Sequence, residues 1–202
     1  MMRLSASRLT IERGGRTILR NLDFAVDSGE MLIVTGRNGA GKSTLLRALA
    51  GLLPLASGAL ALSPSSEDSI AEQTHYIGHA DALKNSLTAA ENLEFFAALL
   101  DLGRGGLEPY AALDSFGLRH VADLPAAYLS AGQKRRAALA KLLVARRPIW
   151  LLDEPTTALD TASQALILSV IGAHLAAGGL VVASTHARLD LPARELQLGA
   201  AA

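Results

Sequence analysis

Residues Gly36–Thr44 read GRNGAGKST, immediately after the apolar run MLIVT at 31–35 and overlapping the start of KSTLLRALAGL at 42–52. The apolar run has the length of a buried strand, and the later segment returns its leucines at helical spacing. The nonapeptide fits G-x-x-x-x-G-K-[ST], and a place between strand and helix is the context in which that pattern cradles phosphate. Glycines let successive backbone N–H groups turn inward as an anion nest, and the helix N-terminus reinforces it. Gly36, Asn38, Gly39, Ala40, Gly41, Lys42, Ser43 and Thr44 are the candidate phosphate-binding residues. Lys42 is expected at the β- and γ-phosphates of a nucleotide, and the Ser43 hydroxyl on Mg2+. The bland reading is a glycine-rich turn that matches by accident, which at average composition happens in roughly one chain of this length per hundred or fewer.

The surroundings repeat the strand and helix alternation. Short β-type runs stand at 9–12 (LTIE) and 22–26 (LDFAV), and helical patterning returns at 88–100 and at 131–146, where Ala137, Ala140 and Val144 recur. IWLLDE at 149–154 is an apolar strand ending in two carboxylates; a helix is expected over 161–177, then the strand GGLVVASTH at 178–186. This order predicts an α/β fold with a largely parallel sheet covered on both faces, ligands binding at the carboxyl ends of the strands. Asp153 is thereby directed toward a metal, with Glu154 beside it as candidate general base for water, and Pro155 ends the strand behind them. Alone, two acids at a strand end read as solvated; downstream of a phosphate loop they complete a nucleotide site. His186, closing the next strand, is placed for a γ-phosphate contact. LSPSSEDS at 62–69 reads as a solvated loop, and the last residues, from Leu198, read as frayed.

Composition sets the outer limits. A chain of 202 residues fits one domain, and 19 basic against 19 acidic residues leave no surplus to neutralise a nucleic-acid backbone. The absence of cysteine removes disulfides and thiolate metal sites. MMRLSASRLTIERGGR lacks the apolar core of a secretory signal, so the chain is expected to stay in the cytoplasm. No apolar run approaches the roughly 18 residues that cross a bilayer, so membrane work would pass through a partner.

The segment YLSAGQKRRAALAKLL at 128–143 resembles the signature of ABC-type ATPases, L-S-G-G-Q, with Ala131 in the third position. Phosphate loop, signature (129–133), acidic strand, TALD at 157–160 and His186 follow one another in that family's order. The resemblance implies a P-loop NTPase of ABC ATPase type, with a mostly parallel sheet core, an antiparallel β subdomain and a helical signature subdomain over approximately 80–145. All of it would form a single ATP-binding domain, 1–202. It further implies ATP and Mg2+ as ligands, the metal held at Ser43 and Asp153. ATP would be clamped in a head-to-tail homodimer, with Ser130 and Gly132 serving the nucleotide of the other subunit and Gln133 and Asp160 as further nucleotide-binding candidates.

Two positions depart from that family's usual pattern. Where most members stack an aromatic on adenine, this chain offers Arg13 in IERGGRT; a guanidinium can stack on a base, and Arg13 reads equally well as a solvated loop residue. Nine residues before Thr88 of TAAEN, where the family usually has a glutamine that meets Mg2+ and the attacking water, stands His79. That histidine, with YIGHADALKNSLTAAENL and WLLDEPTTALD, is similar to the ATP-binding subunits of cytochrome c biogenesis (haem exporter) ABC systems. The branch implies a peripheral subunit on the cytoplasmic face of the bacterial inner membrane, paired with a CcmB-like permease and working with CcmC- and CcmE-like proteins. The alternatives are an ATPase subunit of a drug or lipid exporter and a nucleotide-dependent structural protein. The second of these usually carries a long coiled coil or a second ATPase unit, and neither is present here.

His75 and His79 in HYIGHADALK could also suggest a haem or metal site. The segment reads as strand into loop, where residues four apart do not share a face as they would on a helix, so His75 reads as a strand-edge residue. Coupling to a membrane partner is expected on the surface after His79, with Leu83, Lys84, Phe95 and Phe96 as candidates; the two phenylalanines read first as core residues of their helix.

Overall fold

The computed structural model describes residues 1–100, 105–157, 159–185 and 189–199. In chain order the elements are β1 (Arg3–Arg13), β2 (Arg16–Asp27), β3 (Met31–Thr35), α1 (Lys42–Leu49), β4 (Ser57–Ser63), β5 (Thr74–Ile77) and α2 (Ala89–Leu100). They continue with α3 (Pro109–Asp114), α4 (Ala131–Val144), β6 (Ile149–Asp153), α5 (Thr161–Ala176), β7 (Leu180–Ser184) and β8 (Arg194–Gln197). The chain divides into two compact units. The first comprises 1–78, 148–155 and 171–202, and the second 79–147 and 156–170.

The first unit holds both sheets. β3, β5, β6, β7 and β8 form a parallel sheet in the order β5-β6-β7-β3-β8, and β1, β2 and β4 an antiparallel one in the order β2-β1-β4. Period-2 alternation assigns the faces of the parallel sheet. Leu32, Val34, Ile149, Leu151, Leu180 and Val182 share one buried cluster with Leu45, Leu46 and Leu49 of α1 and with Leu4, Leu9 and Ile11 of β1. The intervening Trp150, Leu152, Val181 and Ala183 are buried as well, which is why these strands read as continuous apolar runs.

The antiparallel sheet departs from what the sequence suggested. LTIE and LDFAV are only the middles of strands of 11 and 12 residues, because bulges interrupt the apolar alternation. Arg8, with φ 47°, lies where the β1–β2 register shifts between Ala6 and Leu9. The hairpin between β1 and β2 turns on Gly14 and Gly15, with φ 57° and 73°, the pair of left-handed residues that a two-residue turn requires. β4 and β8 were not foreseen, and the solvated stretch begins only after Ser63. Leu198 is not frayed: it is buried, and its N–H donates to Thr35 O at 2.9 Å, continuing β8 along β3.

The second unit is helical, with α2, α3 and α4 packed pairwise. Leu93, Leu113, Phe116, Leu118 and Leu139 are among its fully buried side chains. TAAE at 88–91 proves to be a capping box: Glu91 N–H donates to Thr88 Oγ1 at 3.1 Å, and Thr88 N–H to Glu91 Oε2 at 2.7 Å. The reading of Phe95 and Phe96 as core is corrected. α2 buries Ala89, Ala90, Asn92 and Leu93, which leaves Phe95 at 39% exposure and Phe96 half-buried. The ammonium groups of Lys84 and Lys141 lie over the two rings, at 3.8 and 4.1 Å from their centroids. Among the described residues no helix is long and apolar enough to cross a membrane.

In the first unit, the His174 ring stacks on Trp150 with centroids 3.7 Å apart and planes 7° from parallel. A Cβ at Gly179 would fall inside that ring, so the glycine is what admits the histidine. His174 Nε2 lies 3.2 Å from Pro148 O, and burial brings its pKa down to about 4. A histidine kept neutral in the fold but protonated when unfolded contributes stability in full above its unfolded pKa of 6.5, and loses it as pH falls toward 4. Chemical unfolding at pH 7.5 and pH 4.5 should show a loss of about 2–3 kcal/mol from this residue. His174→Phe should remove that share of the difference.

Candidate functional site

β3 delivers the chain into the phosphate loop, where Gly36, Gly39 and Gly41 have φ of 140°, 82° and 99°. Two of these turns are also sterically required. A Cβ at Gly36 would stand 2.7 Å from Leu198 O, and one at Gly41 2.9 Å from Ile18 Cγ2 on β2. Lys42 is 9% exposed, and its Nζ donates to Gly36 O at 2.9 Å and Arg37 O at 3.4 Å, arching the loop around its own cation. Ala40 N–H donates to Arg37 O at 3.0 Å. Asn38 and Ser43 are exposed, while Ala40 and Thr44 are half-buried. Gly41 caps α1 with no side-chain hydrogen bond, so the first N–H groups of that helix face the loop without an internal acceptor from the cap.

The acidic strand ends at the same level. Parallel register aligns Val34 of β3 with Ser184 of β7, and Ser184 with Asp153 of β6, so only one strand separates the phosphate loop from the carboxylates. At the usual interstrand spacing that is about 10 Å. Ser184 Oγ donates to Asp153 Oδ1 at 2.6 Å, and the acid is 3% exposed. Glu154 N–H donates to Ser184 O at 3.1 Å and also reaches Ser184 Oγ at 3.2 Å. Its φ is 51°, a left-handed conformation that is strained for a residue with a Cβ and is found preferentially at functional sites. Ser184 was not singled out in the sequence; the signal it offered was a small hydroxyl ending an apolar run that must lie beside the acidic strand.

Among the described residues no group of three or more His, Asp or Glu could hold a metal. The available donors are the Ser43 hydroxyl and the Asp153 carboxylate. Two hard oxygen ligands suit Mg2+, which usually takes one or two protein oxygens and completes its shell with water and substrate phosphates. Arg13 is exposed at the end of β1, beside the Gly14–Gly15 turn. His186 lies outside the described residues.

The remaining candidates belong to the second unit. His79 is exposed in the segment that leaves β5. Ser130 is the N-cap of α4 in a capping box: its Oγ accepts from Gln133 N–H at 3.2 Å, and Gln133 Oε1 accepts from Ser130 N–H at 2.8 Å. The Gln133 side chain is thus occupied in presenting the serine, and Gly132 stands in the first turn of that helix. Asp160 caps α5 by accepting from Ser163 N–H at 2.8 Å, and Ser163 holds its carboxyl below the usual carboxylate range.

Residues 19–157 match the family described as ABC transporter. The chain belongs to that family. Two relatives similar to it from end to end are the cytochrome c biogenesis ATP-binding export proteins CcmA of Nitrobacter winogradskyi, 51% identical, and of Bradyrhizobium diazoefficiens, 52% identical. In both comparisons 100% of each chain is covered. Among solved structures, a dimeric ATP-binding cassette in a post-hydrolysis state bound to ADP and Pi has the same fold, with a TM-score of 0.83 at 24% identity over 96% of this chain and 94% of that one.

Ser184→Ala should cost about 1–3 kcal/mol in chemical unfolding, because it strips a buried carboxylate of a hydrogen bond. Gly41→Ala should cost a similar amount, about 1–3 kcal/mol, through left-handed strain and the clash with Ile18. Wild-type unfolding midpoints in both variants would contradict the account of how loop and acidic strand are held.

Proposed function

We propose that this chain is the ATP-hydrolysing subunit of an ABC complex serving c-type cytochrome biogenesis. It would be a single ATP-binding domain, peripheral on the cytoplasmic face of the bacterial inner membrane. The common level of phosphate loop and acidic strand carries the ATPase reading. Similarity over the full length to the CcmA proteins supports the branch.

In this reading the loop residues Gly36, Asn38, Gly39, Ala40, Gly41, Lys42, Ser43 and Thr44 cradle the phosphates of ATP, with the Lys42 ammonium at the β- and γ-phosphates and the Ala40 amide kept within the loop by Arg37 O. Mg2+, when bound, offsets the charge building on the phosphoryl oxygens, and Ser43 and Asp153 are the residues to hold it. Glu154 takes a proton from water as the water attacks the γ-phosphorus; the β–γ bridge breaks and leaves ADP and phosphate. His186 contacts the γ-phosphate, and His79 occupies the position from which the attacking water is oriented. Arg13 stacks on adenine. In a homodimer, Ser130, Gly132, Gln133 and Asp160 of one subunit complete the site of the other, the exposed capped end of α4 supplying amides to the γ-phosphate.

Turnover would drive a CcmB-like permease, in company with CcmC- and CcmE-like proteins, to export haem or to release haem-loaded chaperone. Service to another exporter, of drugs or lipids, would use the same residues. The exposed Phe95 and half-buried Phe96, with Lys84, favour a docking role for the surface after His79.

Lys42→Ala should abolish ATP turnover in the purified chain. Glu154→Gln should retain binding while slowing hydrolysis by roughly 10²- to 10⁴-fold, measured as phosphate release beside nucleotide binding. Undiminished turnover in Glu154→Gln would remove that residue from the role of base. Deleting the gene should abolish c-type cytochromes while leaving total haem unchanged; normal cytochrome c would move the subunit to another exporter.

A further inference from the structure

The segment that follows His79 has no regular secondary structure up to the start of α2, yet it is held by two buried polar side chains. Lys141 of α4 is 4% exposed, and its Nζ donates to Asp81 O at 2.5 Å and to Ala82 O at 3.1 Å. Asn92 of α2 is fully buried; its Oδ1 accepts from Lys84 N–H at 2.7 Å, and its Nδ2 donates to Lys84 O, Leu87 O and Thr88 O at 3.0, 3.2 and 2.9 Å. Arg135, also on α4, reaches Asp81 Oδ1 at 3.4 Å. Ala82 adopts φ 52°, a left-handed turn that places its carbonyl beside that of Asp81.

An amine at this depth costs free energy that a methionine of similar volume would not. Burial brings the Lys141 pKa down to about 8, against an opposing pull from Asp81. What the amine provides and methionine cannot is donors for two carbonyls that no strand or helix satisfies. Those carbonyls lie two and three residues beyond His79, and the helix that holds them is the one Ser130 caps.

We propose that Lys141 is a positioning residue for hydrolysis: by fixing the Asp81 and Ala82 carbonyls to α4, it makes the His79 segment and the signature helix move as one piece. The inference rests on the proposed ATPase reading. Lys141 touches no reacting atom and acts through His79, so its removal lowers the catalytic rate without weakening nucleotide binding.

The test compares steady-state ATP hydrolysis by the full chain in wild type, Lys141→Met, Lys141→Arg, His79→Ala and the double variant Lys141→Met with His79→Ala. Lys141→Met should lower kcat on the order of 10-fold with KM for ATP within about 2-fold of wild type, and Lys141→Arg, which keeps the donors, should restore most of the loss. In the His79→Ala background, which removes the side chain being positioned, Lys141→Met should add less than about 2-fold. Effects that multiply independently, or a loss confined to KM, overturn the proposal. Should the methionine variant not fold, amide hydrogen exchange in the wild-type chain decides. Lys84 and Leu87 N–H should be protected to within about 10-fold of the α4 amides, and much faster exchange there overturns the proposal too. A wild-type chain with no ATP hydrolysis would instead sink the ATPase reading.

Discussion

The hydrogen bond from Ser184 Oγ to Asp153 Oδ1, 2.6 Å long, ties together the strand ends on which the acidic pair depends. It joins β7 to β6 at their last residues, and the same Ser184 is paired in register with Val34 at the end of β3. Parallel pairing alone sets the relative heights of three strand ends only if none slips by a residue, and a slip of one would turn Asp153 from the face of Ile149 and Leu151 to that of Trp150 and Leu152. The serine makes the correct register the one in which a buried carboxylate is satisfied. Glu154, whose N–H returns to the Ser184 carbonyl, inherits its position from the same anchor.

Helix starts are the common device in the second unit, and they differ from the one in the first. Thr88, Ser130 and Asp160 each begin a helix by accepting from a backbone N–H three residues on, in two cases as a full capping box. Capping supplies a fixed geometry at the start of each helix, worth about 1 kcal/mol apiece. At α1 the cap is a glycine that supplies no side-chain acceptor. Segments recognised as motifs in the sequence are thus, physically, helix starts of two kinds: closed by a side chain, or begun on a glycine that supplies none.

Legibility in the sequence followed the range of the interaction. The phosphate loop was readable because its glycines, its lysine and its helix are consecutive, and β6 and β7 because burial on both faces makes them uniformly apolar. β4 was missed because SGALALS has no β-branched or aromatic residue, and β8 because RELQ offers a single apolar one, their partners lying far away in sequence. The bulge at Arg8 hid the true length of β1. Ser184 offered only a hydroxyl at the end of an apolar run, and its acceptor lies on another strand; Lys141 carried no local signal, since it acts on carbonyls some sixty residues earlier. Phe95 and Phe96 misled because apolar character on a helix was equated with burial, whereas here two lysine ammonium groups cover the rings.

The left-handed backbone of Glu154 sets folding and chemistry against each other at a single position. Glycine there would relieve strain of about 1 kcal/mol or more, so selection for stability alone would remove the side chain. That a carboxylate stands at this φ of 51° means the chain accepts a less stable fold in return for an acid turned away from its strand. Directed evolution for thermal stability without a functional screen would be drawn to this residue early, and would yield a better-folded protein without the carboxylate proposed here as the base.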